Sequence, residues 1–382
     1  MANRRVILLR SNPVAPDPPV EKAADALLSF GYEVTVVGWN RDEEFTEQTD
    51  VLNLERGVAK VVRFGIPAVF GGGMKNFVGL YKFQKKLKGW LKNHRNEFDV
   101  IHAFDFDTGY VARKIAKKYG KRLVYHILDF YVESHHLPTK FLNKFVKRAE
   151  FKIINGADHS VICTEKRREQ IAGSNPKKLS VIHNTPKQPS EELGFMLDKN
   201  TDGRARIVYV GILAGGRFIR EVVNFVKSDE RFELHIGGFG NMEKEIAKAA
   251  EECDRIFFYG KLPYAKTLAL ENSCDIMTAI YNPAVPNHRY AAPNKFYESL
   301  MLGKPVVMAK NTGFDEIIEE NNVGCLIEYS EEGLAFGFNN LYEQKDNWEN
   351  ISSRMKELYK NSFSWAEMER RLGEIYSEFE NE

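Results

Sequence analysis

Only four cysteines, Cys163, Cys253, Cys274 and Cys325, occur in 382 residues, and no two of them form a C-x-x-C pair. So wide a spacing excludes a paired-cysteine zinc site and a disulfide framework, and it suits a reducing compartment. Net charge is also nearly absent. The 54 Lys and Arg against 53 Asp and Glu leave +1, too little to draw nucleic acid or an acidic partner to the chain as a whole. Long apolar runs are missing as well. The opening residues, MANRRVILLRSN, hold an apolar stretch too short for a signal peptide or a membrane-spanning helix. The expected location is the cytoplasm, including the inner face of a membrane. No repeat and no low-complexity segment appears. The run GGFGNME approaches a dinucleotide fingerprint, but Glu243 stands where its last glycine belongs.

What is present is ordinary globular composition, 43% hydrophobic and 28% charged. A chain this long exceeds what a single core usually holds, so two domains are expected. The pattern agrees. RRVILLRSN, YEVTVVGW, FDVIHAFD, RLVYHILD, HSVICTE and LSVIHNTP are short, mostly apolar strands. The segments between them include VEKAADALLSF closed by Gly31, a helix from about 110 to 118 and a basic helix around 140 to 153. Strands apolar on both faces and alternating with helices belong to a covered parallel sheet. A polar stretch from 186 to 203 reads as a linker. The alternation then restarts with ARIVYVG, FELHIGG, IFFYG, CDIMTAIY, KPVVMA and GCLIEY, and ends on an amphipathic helix with Trp365, Met368, Leu372 and Tyr376 on one stripe. The expectation is α/β: two Rossmann-like, doubly wound parallel-sheet domains facing a cleft. One covers residues 1–190 and binds acceptor, one covers 191–362 and binds donor, and a helix over 363–382 returns to the first.

The most informative stretch is AAPNKFYESLMLGKPVV, residues 291–307. Pro293 suits the start of a helix, where its missing N–H costs nothing, and Gly303 suits its end. The free N–H groups and positive dipole end of such a helix form a ready anion site. Lys295 adds a cation there. Glu298, at i+3 from Lys295 and i+4 from Asn294, shares their face and can accept hydrogen bonds from the two hydroxyls of a ribose. A phosphate cradle followed by a ribose clamp makes a nucleotide-diphosphate site. A surface helix with an ordinary Lys–Glu pair is the plainer alternative.

Taken with FDVIHAFDFDTGYVARKIAKKYGKRLVYHILDFY, ADHSVICTEKRREQI, LSVIHNTP and IVYVGILAGGR, this stretch resembles the retaining GT-B glycosyltransferases of the family four, group 1 type, over nearly the whole chain. The resemblance implies transfer of a sugar from a nucleotide-sugar donor with retention of configuration and no cofactor. It assigns Gly211, Arg217, Arg289, Tyr290, Asn294, Lys295, Glu298, Asn184 and Leu262 to donor binding. The backbone near Lys261 and Leu262 would meet the base. Departures from the family pattern are specific. Tyr290 stands where the first motif glutamate belongs, Ile212 replaces an arginine, and Arg217 stands for a lysine. Arg289 and Lys295 are expected to make up for the missing cation. On the acceptor side Asp129 matches the family aspartate, Leu128 replaces a histidine, and His126 is the catalytic substitute considered, against a buried core histidine. His102 and Asp105 lie where the acceptor is expected. The first loop offers NPVAPDPP in place of a glycine pair.

No His/Asp/Glu cluster with ligand spacing was recognised, so no metal is expected, and the departing diphosphate falls to the helix terminus, Arg217 and Lys295. Residues 74–95 carry seven lysines and arginines and no acid, interleaved with aromatic and aliphatic residues. Such a helix lies on an anionic lipid surface or is simply a solvated face. Surface binding would point to a lipid-linked acceptor, and otherwise a glycan. No phosphorylase-type cofactor lysine motif is recognisable. The rival function is a catalytically silent, nucleotide-binding scaffold, favoured by Tyr290 and Leu128. The retained set of Arg217, Asn294, Lys295 and Glu298 favours the enzyme.

Overall fold

The computed structural model describes residues 4–69, 76–135, 137–189, 193–198 and 203–381. The chain divides into two compact units, Met1–Asn184 with Met368–Glu382, and Thr185–Glu367.

The first unit opens with β1 (Arg5–Leu9), α1 (Pro18–Ser29), β2 (Glu33–Asn40), β3 (Phe45–Leu54) and β4 (Gly57–Gly65). It continues with α2 (Phe77–Asn93), β5 (Val100–Phe104), α3 (Asp105–Tyr119), β6 (Arg122–Ile127) and the single turn α4 (Tyr131–Ser134). The helix α5 (Lys140–Gly156) and strands β7 (His159–Ile162) and β8 (Leu179–Val181) follow. Among the described residues the sheet order is β3-β4-β2-β1-β5-β6-β7-β8. All pairings are parallel except β3 with β4. The parallel sheet expected from sequence is thus extended by an antiparallel edge strand that the sequence reading did not include. FTEQTDVLNL carries no apolar run because it is the outermost strand and is largely exposed, so its composition gave no strand signal.

Local rules account for the first helix. Asp17 Oδ1 accepts a hydrogen bond from the Val20 N–H at 3.3 Å, Pro18 occupies the first helical position, and Gly31 just beyond the end takes φ +83°. In the loop before it, Val14 and Ala15 hold φ of +56° and +59°, a region glycine adopts freely and a β-branched residue does not. The helix α3 begins at Asp105, earlier than the sequence indicated, because the chain turns straight from β5 into it.

The second unit runs β9 (Ala205–Ile212), α6 (Ile219–Ser228), β10 (Phe232–Phe239), α7 (Glu243–Glu252), β11 (Ile256–Phe258), α8 (Tyr264–Asn272) and β12 (Ile276–Thr278). Next come α9 (Asn294–Leu302), β13 (Val306–Ala309), α10 (Asp315–Asn321), β14 (Gly324–Ile327), α11 (Glu331–Glu343) and α12 (Trp348–Leu358). Its six strands are parallel in the order β11-β10-β9-β12-β13-β14. Of the segment read as a linker, the described parts belong to this unit. Leu193 and Leu197 pack on its core, and the Met196 N–H donates to Ser273 Oγ at 2.7 Å.

The last helix, α13 (Trp365–Asn381), has its greater part in the first unit. Met368, Leu372, Ile375 and Tyr376 are buried. The Tyr376 ring meets Tyr32 edge-on at 5.2 Å, and Arg371 donates to the Val181 carbonyl at 3.0 Å.

Candidate functional site

In the second unit β9 lies between β10 and β12, so the chain leaves β9 toward one edge of the sheet and returns through β12 toward the other. Open α/β sheets bind ligands outside the carboxyl ends of the strands at such a reversal. The segments that follow β9 and β12 are those singled out from sequence. The glycine turn, Gly211–Gly216, spans the last two residues of β9 and the four that follow, and leads to Arg217 and into α6. After β12 the chain passes through a loop and a short 3₁₀ turn at Pro286–Tyr290 into α9. The two segments are tied together, because the Asn282 N–H donates to the Gly216 carbonyl at 3.1 Å. His288 Nδ1 lies 3.0 Å from the Asn282 carbonyl. The Arg217 guanidinium stacks on the Tyr281 ring at 3.8 Å, and its buried Nη1 has no hydrogen-bond partner.

The glycines of GGFGNME have a packing role. A Cβ at Gly238 would stand 1.8 Å from the Gly211 carbonyl oxygen, and one at Gly240 would stand 2.3 Å from that of Leu213. They let the ends of β9 and β10 approach closely, which explains glycine without a dinucleotide fingerprint.

The helix α9 follows the predicted bounds. Pro293 immediately precedes it, and Gly303 ends it at φ +69°. Lys295 reaches back over the Tyr209 ring, 4.8 Å from its centre. A Cβ on Gly211 would sit 2.5 Å from Lys295 Nζ. The ammonium therefore lies directly on the glycine turn. Glu298, 4% exposed, accepts a hydrogen bond on Oε1 from the Tyr264 hydroxyl at 3.1 Å. Burial pushes its proton affinity up, while Lys295 and the Tyr264 hydroxyl hold it down. Lys295 itself is lowered by burial, against the pull of Glu298 and Glu271. Gly211, Arg217, Lys295 and Glu298 thus share one end of one sheet. Asn294 and Arg289 are exposed and Tyr290 half-buried beside them. Leu262 is half-buried and would meet a Cβ on Gly237 at 3.2 Å. Asn184 is the last residue of the first unit's main segment, within the bounds expected for the first domain, and its amide oxygen accepts from Lys22 Nζ at 3.1 Å. Sequence reasoning missed Tyr264, Tyr209 and Tyr281, for which no linear spacing signals a partnership with residues far along the chain.

In the first unit the corresponding reversal lies between β1 and β5. Arg10, just after β1, forms ion pairs there with Asp105 and, at 2.8 Å, Asp17. Asp105 holds φ +59° and also accepts from the N–H groups of Leu128 at 2.8 Å and Asp129 at 3.1 Å. Its carboxylate is fully engaged in shaping the site. Asp129 is exposed at the end of β6, held by Arg167 at 3.2 Å. Asp105 and Asp107 also form an Asp-x-Asp triplet that the sequence reading overlooked. Asp105 is occupied by Arg10, and Asp107 is half-buried, with its Oδ1 enclosed and unpartnered. No cluster of three or more His, Cys, Asp or Glu able to hold a metal occurs among the described residues.

The two histidines correct the sequence reading. His102 is fully buried, with Nδ1 2.9 Å from the Tyr376 hydroxyl and Nε2 3.2 Å from His126 Nδ1. Burial pushes His102 down to about 3 and His126 well below its usual range. His102 therefore cannot face an acceptor, and His126 is a neutral core histidine. The same-face argument from Leu128 fails because β6 stops at Ile127.

The basic segment 74–95 is described from residue 76 onward, and Met74 and Lys75 lie outside the described residues. Leu87, Trp90 and Leu91 of α2 are core residues, which corrects their place among the apolar groups expected to face a lipid surface, and Phe83 is buried with them. Phe77, Val78 and Tyr81 are exposed, as are Phe141 and Phe145 on the basic helix α5. No helix among the described residues is long and apolar enough to cross a membrane.

Residues 20–185 match the family model described as Glycosyltransferase Family 4, and residues 204–344 match that described as Glycosyl transferases group 1. A search of curated proteins finds no match. Among solved structures, sucrose-phosphate synthase from Thermosynechococcus elongatus superposes with a TM-score of 0.74 at 16% identity, covering 99% of each chain. Anabaena HepE in complex with UDP gives 0.68 at 14% identity, covering 98% of this chain and 100% of that one. The catalytic domain of starch synthase IV from Arabidopsis thaliana, bound to ADP and acarbose, gives 0.69 at 10%, covering 99% of each. At these identities the likeness is one of fold, the two-domain GT-B architecture.

Proposed function

Because the chain belongs to the family 4, group 1 glycosyltransferases, we propose that it is a retaining, metal-independent and cofactor-free enzyme. It moves a sugar from a nucleotide-diphosphate sugar to a glycan or lipid-linked acceptor in surface polysaccharide or glycoconjugate synthesis. The observation that carries the donor assignment is the meeting of Lys295 with the Gly211 turn, beside Arg217 and one helical turn from Glu298. Two cations and two helix N-termini would face the diphosphate, and they stabilise the charge that develops as it leaves. Glu298 accepts from the ribose hydroxyls and is not a nucleophile. The acceptor oxygen bonds to the anomeric carbon on the face the diphosphate leaves, and the leaving phosphate oxygen takes the acceptor's proton. Asp129, exposed beside Asp105, orients the acceptor. His126 and His102, enclosed in the core, receive no part in the chemistry.

The test is thermal melting with UDP, GDP, ADP, CMP and their sugar conjugates, on wild type and Glu298→Ala. Ligand binding to the folded state alone raises Tm. One diphosphate that stabilises wild type and not the variant supports the site and names the base. No stabilisation by any of them overturns it.

The same proposal includes contact of the first unit with an anionic membrane surface through α2. Its exposed Phe77, Val78 and Tyr81 are accompanied by Lys82, Lys85 and Lys88, and each such charge adds about 1 kcal/mol near an anionic leaflet. Co-sedimentation with phosphatidylserine vesicles at low salt is expected, and its absence rejects this part alone.

A further inference from the structure

The helix α8 carries a second buried carboxyl, Glu271, within electrostatic reach of Glu298. Glu271 is fully buried, and neither of its carboxyl oxygens has a hydrogen-bond partner. Two helical turns earlier on the same helix, Tyr264 donates its hydroxyl to Glu298. From α9, Glu298 and Lys295 both act on Glu271, the first raising its proton affinity and the second lowering it, after burial as the main cause. Around them, Tyr209 of β9 lies under Lys295. Arg217 acts on Lys295 from the glycine turn, and Tyr359 acts on Tyr264 from beyond α12.

The charges do not balance if both acids are ionised, because two carboxylates would face one ammonium. A buried carboxylate without donors carries the full desolvation cost, whereas the neutral acid does not. Glu298 has a hydrogen-bond donor and some exposure, and Glu271 has neither. The proton of the pair belongs on Glu271.

We propose that Glu271 is a positioning residue for the nucleotide site. Neutral, it leaves Glu298 as the single negative charge beside Lys295, so that Lys295 stays on the glycine turn. Ionised, it draws Lys295 toward α8 and places a second negative charge behind the diphosphate. Nucleotide binding then weakens as pH rises. The inference rests on the donor-site assignment above.

The experiment is calorimetric titration of UDP, GDP and ADP between pH 7 and 9.5, on wild type, Glu271→Gln and Lys295→Arg. Above pH 7 the nucleotide's own phosphate is already ionised. Wild-type affinity should fall on the order of tenfold or more across the range, the scale of one added like charge at a partly desolvated site. Glu271→Gln, which keeps the neutral shape, should hold its affinity constant to higher pH. Lys295→Arg, whose cation does not titrate there, should still lose affinity. An alkaline loss that persists in Glu271→Gln, or begins at lower pH, assigns the titration to Lys295 and overturns the inference. A loss absent from Lys295→Arg overturns it as well, which keeps the test decisive should Glu271→Gln not fold. Binding by wild type with no pH dependence refutes only the role of Glu271. Failure of wild type to bind any of the three refutes the donor site with it.

Discussion

Replacing Gly211 by alanine isolates the contribution of Lys295 to nucleotide binding without touching a charge. The new methyl would stand 2.5 Å from Lys295 Nζ and 3.3 Å from its Cε. The obstructed atoms are the end of a flexible side chain, and Gly211 is not in the left-handed region, so the backbone has no reason to move. Fold stability should change by less than about 1 kcal/mol. The ammonium, however, must leave the turn. A hydrogen bond to a charged group contributes about 1.5–3 kcal/mol, which is about 10- to 150-fold in Kd. Arg217 remains, so binding is weakened and not abolished. Calorimetry with the diphosphate that stabilises wild type measures the loss, and the unliganded Tm serves as control. A Gly211→Ala protein that melts like wild type and binds that nucleotide equally well would refute the assignment of Lys295 to the phosphates.

Tyr264→Phe removes the donor to Glu298 and should weaken nucleoside diphosphate binding by about 0.5–1.5 kcal/mol, about two- to twelvefold, read by the same titration; unchanged affinity would show that the Tyr264 hydroxyl does not hold Glu298. Tyr376→Phe leaves His102 Nδ1 buried without its partner, and should lower unfolding free energy in urea by about 1–3 kcal/mol. Stability should also fall on acidification. His102 and His183 are both pushed by burial down to about 3 from 6.5, so between those values the unfolded chain binds protons that the folded one refuses. Each costs up to about 1.4 kcal/mol per pH unit. Glu150, pushed by burial to about 8 from 4.5, acts with the opposite sign and lowers stability as pH rises through that window. Below pH 6.5 the two histidines together outweigh it. A urea midpoint that climbs steadily from pH 6.5 to 4.5 would contradict this.

Much of the architecture was legible because its signals are local. Apolar strands three to eight residues long, a capping Asp17, a closing Gly31 and the Pro293 to Gly303 helix each declare themselves within one turn or strand. The edge strand β3 did not, since an exposed strand needs no apolar face; β4 beside it does bury Ala59, Val61, Val62 and Phe64 and was missed all the same. In the candidate site the linear spacing of Asn294, Lys295 and Glu298 was sufficient to place them together. What surrounds them was not readable. Tyr264 is 34 residues from Glu298 and Tyr209 is 86 from Lys295, and tertiary proximity leaves no periodic mark. The histidines misled for a related reason. His102 and His126 stand at strand positions where either a core or a crevice was compatible with the sequence, and only Tyr376, contributed by the far end of the chain, shows that the core claimed them.

That last contact has a consequence for biosynthesis. The first unit is interrupted in sequence by the second, and it is completed by residues from Met368 onward. During translation the whole of the second unit, through Glu367, leaves the ribosome before Met368 and the rest of α13 do. Until α13 arrives, the place for Met368, Leu372, Ile375 and Tyr376 is uncovered and His102 lacks its Tyr376 partner. The second unit can finish folding while its elder neighbour in sequence waits, so the order of completion reverses the order of synthesis. A released chain truncated before Met368 should therefore display a protected second unit and a protease-sensitive first one.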